Sequence, residues 1–196
     1  MIQQELLAEF GAKVVSFENE ETIVFESREA TNYFQVKTGK VKMVNYGPEG
    51  QEYINGIFKE SQSFAEPPLF GKFPYPGSAI SVGKSEVYKL HRNPFFKLLE
   101  SNFELHLKFT ETLSNRLLYK NMVFKEMSQH NPEQRVMTLL KYLKTMSNEE
   151  CDYKIPYTRQ QIAGMMGLRV ETVIRTIKKL GTSGQLIIKD HKAIVP

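Results

Sequence analysis

Residues 157–180 read YTRQQIAGMMGLRVETVIRTIKKL, and this stretch decides the fold of the C-terminal part of the chain. Thr158 and Gln161 have the spacing of a capping box, which predicts that a helix begins just after Thr158. Gly167 suits a tight turn because glycine adopts left-handed backbone angles without strain. Apolar residues then recur at the spacing of one helical face: Val170, Val173, Ile177 and Leu180. The stretch therefore predicts two short helices joined at Gly167, a helix-turn-helix.

The other face of the second helix is polar and mainly basic. It carries Arg169, Glu171, Thr172, Arg175, Lys178 and Lys179. A helix with this face is suited to the major groove of DNA. The alternative is an ordinary amphipathic helix pair whose charged face is only solvated.

Two features beyond the helices favour DNA. Leu186–Ile188 and Ala193–Val195 are β-prone runs on either side of a polar turn, which predicts a wing hairpin that can touch the DNA backbone. Residues 129–196 carry 11 Lys and Arg against 6 Asp and Glu, whereas the remaining residues sum to −1. The basic excess therefore lies in the C-terminal third, as a phosphate-binding module requires.

Composition excludes several classes of protein. The chain has 196 residues, of which 41% are hydrophobic and 24% charged, so it can build a core. The single cysteine, Cys151, excludes internal disulfides and cysteine-rich zinc or iron–sulfur sites. No apolar run approaches the roughly 20 residues that span a bilayer, and no signal peptide is evident. We expect a cytoplasmic protein with no membrane partner.

The N-terminal half is predicted to be β-rich and to lead into one long helix. Runs of β-prone residues alternate with glycine turns between residues 14 and 90, which indicates an antiparallel sandwich or barrel. Residues 102–128 lack Gly and Pro and carry a broad apolar stripe. Asn131 and Pro132 then mark the end of this helix and the start of the next one, at a short hinge at 129–131. These features divide the chain into residues 1–100, 101–129 and 130–196, an α+β arrangement.

The long helix has the pattern of a dimer seam. Apolar residues alternate there with polar ones at spacings of three and four, and the residues expected at the interface are Phe103, Leu107, Thr110, Leu113, Ser114, Leu117, Asn121 and Phe124. A coiled coil uses such polar positions to set its register. The alternative is that the stripe packs only on the β domain of its own chain.

The order of β domain, long helix, hinge and winged helix-turn-helix resembles the Crp/Fnr family of bacterial transcription regulators. The resemblance is carried by Thr158, Arg159, Gln160, Ile162, Gly167, Glu171, Thr172, Val173 and Arg175. It implies a jelly-roll-like β-roll as sensor, a dimerisation helix, and binding to an inverted-repeat site in double-stranded DNA. It also implies RNA polymerase as a partner. The sequence shows no nucleophile–base pair, glycine-rich phosphate loop or metal-ligand spacing, so we expect no catalytic residues.

Two residues of the recognition helix have the chemistry of base readers. Arg175 can donate two hydrogen bonds to guanine O6 and N7, and Glu171 can accept one from cytosine N4. Thr172 and Arg169 complete the expected base-reading set, with a phosphate contact as the alternative for Arg169. The family's Ser is replaced here by Ile174, so its sequence preference does not transfer whole. Phosphate contacts are expected from Thr158, Arg159, Gln160, Lys178, Lys179 and Lys192.

The sensor site departs from the cyclic-nucleotide-binding pattern. In those relatives a Glu binds the ribose hydroxyls, and an Arg followed by Ser or Thr binds the phosphate. The matching residues here are Glu66, Gly77, Ser78 and Ala79, with Lys120 and Asn121 in place of the family's adenine-contacting pair. Gly77 removes the bidentate cation, and Pro67 and Pro68 remove two N–H donors. We therefore expect no cyclic AMP binding and an effector of unknown identity, with a cap on the following turn as the alternative role of Glu66.

No other cofactor or metal is predicted. The family's iron–sulfur branch needs four cysteines, and His91, His106, His130 and His191 lack metal-ligand spacing. An axial haem ligand is the alternative role for His106.

The function expected is a homodimeric, sequence-specific transcription regulator. The alternative is a small-molecule-binding module whose C-terminal domain mediates protein contacts.

Overall fold

The structure is a computed structural model that describes residues 1–129, 131–147, 149 and 151–196. It divides the chain into two compact units, Met1–Ser114 and Asn115–Pro196. The division falls inside the long helix, which therefore contributes to both units. The predicted domain boundaries at residues 100 and 130 stay predictions, and His130 of the predicted hinge lies outside the described residues.

The first unit is built mainly from short strands. Its elements follow one another as α1 (Gln4–Glu9), β1 (Lys13–Phe17), β2 (Thr22–Val24), β3 (Asn32–Thr38), β4 (Lys40–Tyr46), β5 (Glu52–Lys59), β6 (Ser63–Phe64), α2 (Pro67–Gly71), β7 (Ser78–Ser81), β8 (Ser85–His91), α3 (Arg92–Ser101) and the start of α4 (Phe103–Gln129). The strands form two four-stranded antiparallel sheets, in the orders β1-β8-β3-β6 and β2-β7-β4-β5. This confirms the predicted antiparallel β-roll.

Aromatic residues fill the core of this unit. The ring of Tyr33 on β3 stacks on that of Phe95 on α3, with 4.5 Å between the ring centroids. Phe109 of α4 meets both rings edge-on, with centroid distances of 5.8 and 5.5 Å. The first turns of α4 are therefore part of the β-roll core, because Leu105 and Phe109 are buried there.

The second unit contains the rest of α4 and the C-terminal helices. Its further elements are α5 (Pro132–Ser147), β9 (Tyr153–Lys154), α6 (Arg159–Met166), α7 (Val170–Thr182), β10 (Ile187–Lys189) and β11 (Lys192–Val195). Its strands form one sheet in the order β10-β11-β9. This confirms the winged helix-turn-helix, and the two-residue strand β9 extends the wing into a three-stranded sheet.

Tertiary packing holds these helices together. The buried faces of α5, α6 and α7 share an apolar core: Val136, Leu139, Leu140, Ile162, Met166, Val173, Ile177 and Leu180. The part of α4 in this unit lies on α5 through Tyr119 and Tyr142, whose rings stack with centroids 5.1 Å apart. Within this unit the recognition helix is therefore fixed by a core that it shares with the other helices.

Candidate nucleic-acid interface and effector site

The first helix of the motif begins with the predicted capping box. The Thr158 hydroxyl accepts a hydrogen bond from the main-chain N–H of Gln161 at 3.1 Å, and the N–H of Thr158 donates to the Gln161 side-chain oxygen at 2.9 Å. Two of the donors at this helix end are thereby satisfied. The main-chain N–H groups of Arg159 and Gln160 lie in the first turn, where a helix presents donors to a phosphate.

The turn between the helices is fixed from both sides. Gly167 ends α6 with a left-handed φ of 58°, and the N–H of Leu168 donates to the carbonyl of Ala163 at 3.0 Å. The guanidinium of Arg135, on α5, donates a hydrogen bond to the carbonyl of Met166. These bonds set the direction in which α7 leaves the turn.

The recognition helix presents most of the predicted DNA contacts to solvent. Glu171, Arg175, Lys178 and Lys179 are exposed on α7, Thr172 is half-buried, and Arg169 occupies the exposed N-cap position. Val173, Thr176, Ile177 and Leu180 are buried on the opposite side. The structure thus brings the base-reading candidates onto one accessible surface. It also exposes Ile174 there, a residue that the base-reading prediction did not include.

The predicted phosphate contacts differ in their surroundings. Lys178 is exposed, whereas the Lys179 ammonium lies 2.6 Å from the carboxylate of Glu133 on α5. The Arg159 guanidinium donates a hydrogen bond of 3.3 Å to the carbonyl of His191, and burial lowers the pKa of Arg159. Arg159 therefore joins the start of α6 to the tip of the wing.

The wing carries a basic pair that sequence reasoning found only in part. Lys189 on β10 and Lys192 on β11 are directly opposite each other in the strand register. Asp190 and His191 form the turn between them, with φ of 50° and 60°. Like charges facing each other across a hairpin are unfavourable. An anion bound at the tip would relieve this repulsion. The spacing of Lys189 and Lys192 around a two-residue turn was the sequence signal that could have predicted the pair.

The exposed side of α4 coincides with the predicted seam. The seam residues Phe103, Leu107, Thr110, Ser114, Leu117, Asn121 and Phe124 are all exposed, and only Leu113 is half-buried. The exposed fractions of Phe103, Leu117 and Phe124 are 68%, 62% and 74%. The buried residues Leu105, Phe109 and Glu126 lie on other faces of the helix. Within each unit, the packing of α4 therefore leaves its heptad seam uncovered.

The effector candidates of the first unit are buried or half-buried among neighbouring residues. Glu66 is fully buried at the N-cap position of α2, but its side chain makes no cap hydrogen bond. Gly77 is buried against β4, so that a Cβ added there would lie 2.7 Å from the carbonyl oxygen of Val44. The Ser78 hydroxyl accepts a hydrogen bond from the N–H of Glu26 at 3.0 Å, and Ala79 is part of the core. A side chain at the position of the family's phosphate-binding Arg would therefore require the backbone of β4 at Val44 to shift.

The remaining effector candidates belong to the second unit, whereas a cavity lies in the first. Lys120 and Asn121 are exposed on the part of α4 in the second unit. A cavity of about 550 Å³ opens in the first unit between α1, β3 and the β5–β6 turn, and Glu66, Gly77, Ser78 and Ala79 of the same unit do not line it. Pro67 and Pro68 occupy the first turn of α2 and supply no N–H donors there. These residues do not fit a cyclic phosphate.

The remaining chemistry is limited. Across residues 1–129, 131–147, 149 and 151–196, no three His, Cys, Asp or Glu side chains are grouped as metal ligands would be. His106 is exposed on α4, and His130 lies outside the described residues. Within the same residues, none of the helices combines the length and the hydropathy needed to cross a bilayer.

Comparison with known proteins matches both units. Residues 14–102 match the family model of the cyclic nucleotide-binding domain, and residues 134–195 match that of the Crp-like helix-turn-helix domain. The chain is 25% identical over 178 residues to the nitrogen fixation regulation protein FixK of Bradyrhizobium diazoefficiens, covering 89% of this chain and 74% of FixK. It is 28% identical over 181 residues to the cAMP-activated global transcriptional regulator CRP of Haemophilus influenzae, covering 89% and 79%.

Solved structures share the fold. FixK2 from Bradyrhizobium japonicum superposes with a TM-score of 0.78 at 22% identity, covering 94% of this chain and 91% of FixK2. A CooA mutant from Carboxydothermus hydrogenoformans gives a TM-score of 0.80 at 14% identity, covering 97% and 85%. At these identities the likeness concerns the fold alone.

Proposed function

Since this chain belongs to the Crp/Fnr family of DNA-binding transcription regulators, which are not enzymes, we propose that it binds an inverted-repeat DNA site as a homodimer through α4. The observation that carries this proposal is the exposed seam of α4. Phe103, Leu107, Leu117 and Phe124 expose large apolar side chains at heptad spacing along one side of this helix. Exposed apolar surface of this kind marks an interaction site.

A second copy of the same helix is the partner that fits this seam. In a parallel pair, each seam residue meets its own counterpart across the two-fold axis. Asn121 would then face Asn121, an arrangement that sets register and strand number. Thr110 and Ser114 add two further polar layers, and Leu117 lies between Ser114 and Asn121.

The two recognition helices of such a dimer would read two half-sites. Half-site centres one helical turn apart lie about 34 Å from each other. Glu171 and Arg175 are accessible for base edges, while Lys178, Lys189 and Lys192 are placed for phosphates. In the alternative, the C-terminal domain contacts protein. Such a domain would not need base-reading side chains in one place and flexible lysines in another.

We propose that the β-roll responds to an effector other than a cyclic nucleotide. One relative is named a cAMP-activated regulator, whereas the name of the nitrogen fixation regulator states no effector. The closeness of Gly77 to Val44 and the prolines at the start of α2 argue against a bound cyclic phosphate. RNA polymerase as a partner and a cytoplasmic location are proposed from family membership.

A selection from random duplex DNA tests the function directly. We expect the purified chain to enrich an inverted repeat, and sedimentation of the complex to give two protomers per duplex. Enrichment of a single half-site bound by one protomer would overturn the dimer. Binding without enrichment of any sequence would overturn base reading. The affinity should fall steeply with salt, as counterion release requires.

A further inference from the structure

Ile174 is an apolar residue in the middle of the charged face of α7. Its side chain is 50% exposed. Glu171 lies three residues before it and Lys178 four after it, which is the spacing of a single helical stripe, and Arg175 follows it directly. The charged stripe that is proposed to face DNA therefore contains one aliphatic side chain between Glu171 and Lys178.

The fold does not need an isoleucine at this position. The core of α7 is supplied by Val173, Ile177 and Leu180, which are at most 3% exposed. Ile174 follows Val173 directly and points away from that core. A β-branched residue is also a weaker helix former than Ala, Lys or Glu, so helix stability does not explain it.

The DNA major groove offers one apolar group on its base edges. That group is the C5-methyl of thymine, and aliphatic side chains contact it. Glu171 and Arg175, on either side of Ile174, have the chemistry to read cytosine and guanine. We propose that Ile174 reads a thymine methyl in each half-site, beside the base pairs that Glu171 and Arg175 contact. This inference rests on the proposed DNA-binding function and adds to it a third, apolar specificity element.

Exposure alone does not single out Ile174. Ile187 and Ile188 of the wing strand β10 are 44% and 46% exposed. They flank no base-reading candidates, and β10 is placed for the DNA backbone. Ile187 therefore provides a matched control, an equally exposed isoleucine outside the recognition helix.

The test removes the methyl groups from the DNA rather than from the protein. In the duplex recovered by selection, each symmetric pair of thymines is replaced in turn by deoxyuridine, which lacks only the C5-methyl. We expect one thymine of each half-site to be sensitive, with the affinity of the wild-type chain falling about fourfold for each methyl removed. This size corresponds to the transfer free energy of one buried carbon. Ile174→Ala should bind the thymine and deoxyuridine duplexes equally well. Ile187→Ala should keep the wild-type difference.

The outcomes separate this inference from the proposed function. If the wild type discriminates but Ile174→Ala discriminates equally, another group reads the methyl and the inference is overturned. It is also overturned if no thymine in the selected half-site is sensitive, or if the half-site contains none. If the selection recovers no preferred sequence at all, the proposed function itself fails. Because Ile174 is exposed, Ile174→Ala should keep the wild-type circular dichroism spectrum and unfolding midpoint.

Discussion

The guanidinium of Arg135 on α5 donates a hydrogen bond to the carbonyl of Met166, the last residue of α6. It also lies near the buried carboxylate of Glu126 on α4. Burial lowers the pKa of Arg135, and the negative charge of Glu126 partly offsets this. One side chain thus ties three helices together at the turn that orients the recognition helix, and it supplies a partner for a helix-terminal carbonyl.

Replacing Arg135 should therefore destabilise the second unit. We expect Arg135→Met to lower the free energy of unfolding by about 1.5–3 kcal/mol, the range for a hydrogen bond to a charged group. The loss includes the cost of leaving Glu126 without the neighbouring cation. Urea unfolding at fixed protein concentration measures the change. Arg175→Met, which alters an exposed Arg on α7, should change it by less than about 0.5 kcal/mol; equal losses would contradict the role of Arg135.

Charges placed in the seam of α4 should separate the dimer. Leu117→Glu combined with Phe124→Glu brings four carboxylates together across the two-fold axis and removes four apolar side chains. Both side chains are exposed within the second unit, so we expect a folded monomer in sedimentation equilibrium. Asn115→Glu, on an exposed position outside the seam, should leave the dimer intact. A dimer that survives the double substitution would place the interface elsewhere.

The neighbouring lysines of α7 should contribute unequally to DNA binding. Lys178→Ala should lower the slope of log affinity against log salt by about one, because one phosphate contact is lost. Lys179→Ala should lower it less, since Glu133 already neutralises the Lys179 charge at 2.6 Å. Equal slope changes would show that the ion pair with Glu133 opens on the DNA.

Arg175→Ala should instead relax the sequence preference. A bidentate contact between Arg and guanine carries about 1–3 kcal/mol of discrimination. We expect its loss to flatten one G·C position in each half-site while the salt slope stays nearly unchanged. Selections from random DNA with wild type and variant compare the two motifs. Recovery of the same motif with equal sharpness would remove Arg175 from the base readers.

Cyclic AMP should not bind, and a larger residue at position 77 should not restore binding. Gly77→Ala already places a Cβ 2.7 Å from the carbonyl oxygen of Val44. We expect it to cost about 1–3 kcal/mol of unfolding free energy, the range for overpacking. Gly77→Arg should be at least as unstable and still fail to bind. Calorimetric titration of wild type and both variants is the measurement, and micromolar affinity in any of them would refute the prediction.

Stability should fall at alkaline pH in a way that depends on Tyr119. Burial raises the pKa of Tyr119 above its ordinary value of 10.0, and Tyr142 and Tyr157 raise it further. Above pH 10 the unfolded chain therefore loses this proton before the folded chain does, so the free energy of unfolding decreases as the pH rises. Tyr119→Phe should make the decrease shallower between about pH 9 and about pH 11. Tyr46→Phe, an exposed position, serves as the comparison, and equal slopes for both variants would argue against Tyr119.

Local sequence rules predicted the helix-turn-helix because each of its features spans only a few residues. The capping box of Thr158 and Gln161 and the left-handed Gly167 depend on neighbours in the sequence. The buried and exposed faces of α7 follow from the helical period. The same period located the exposed seam of α4, because the seam repeats over the length of the helix.

Features that depend on distant partners could not be predicted in this way. Arg135 and Met166 are 31 residues apart, and Lys179 and Glu133 are 46 apart. Strands β6 and β9 have two residues each, too few to show any alternation. The loss of the family's Arg at Gly77 was visible in the sequence. The closeness of Gly77 to Val44, on which the prediction for Gly77→Arg rests, required the structure.

If the seam of α4 pairs two protomers as proposed, DNA binding depends on the concentration of this protein. When only the paired form occupies an inverted repeat, and most copies are single, occupancy rises with the square of the protomer concentration. A doubling of synthesis would then raise binding about fourfold, with no small molecule involved. The polar residues Thr110, Ser114 and Asn121 weaken the seam relative to an all-leucine one. The protomer concentration at which most copies pair is therefore higher. A regulator built in this way can measure its own production.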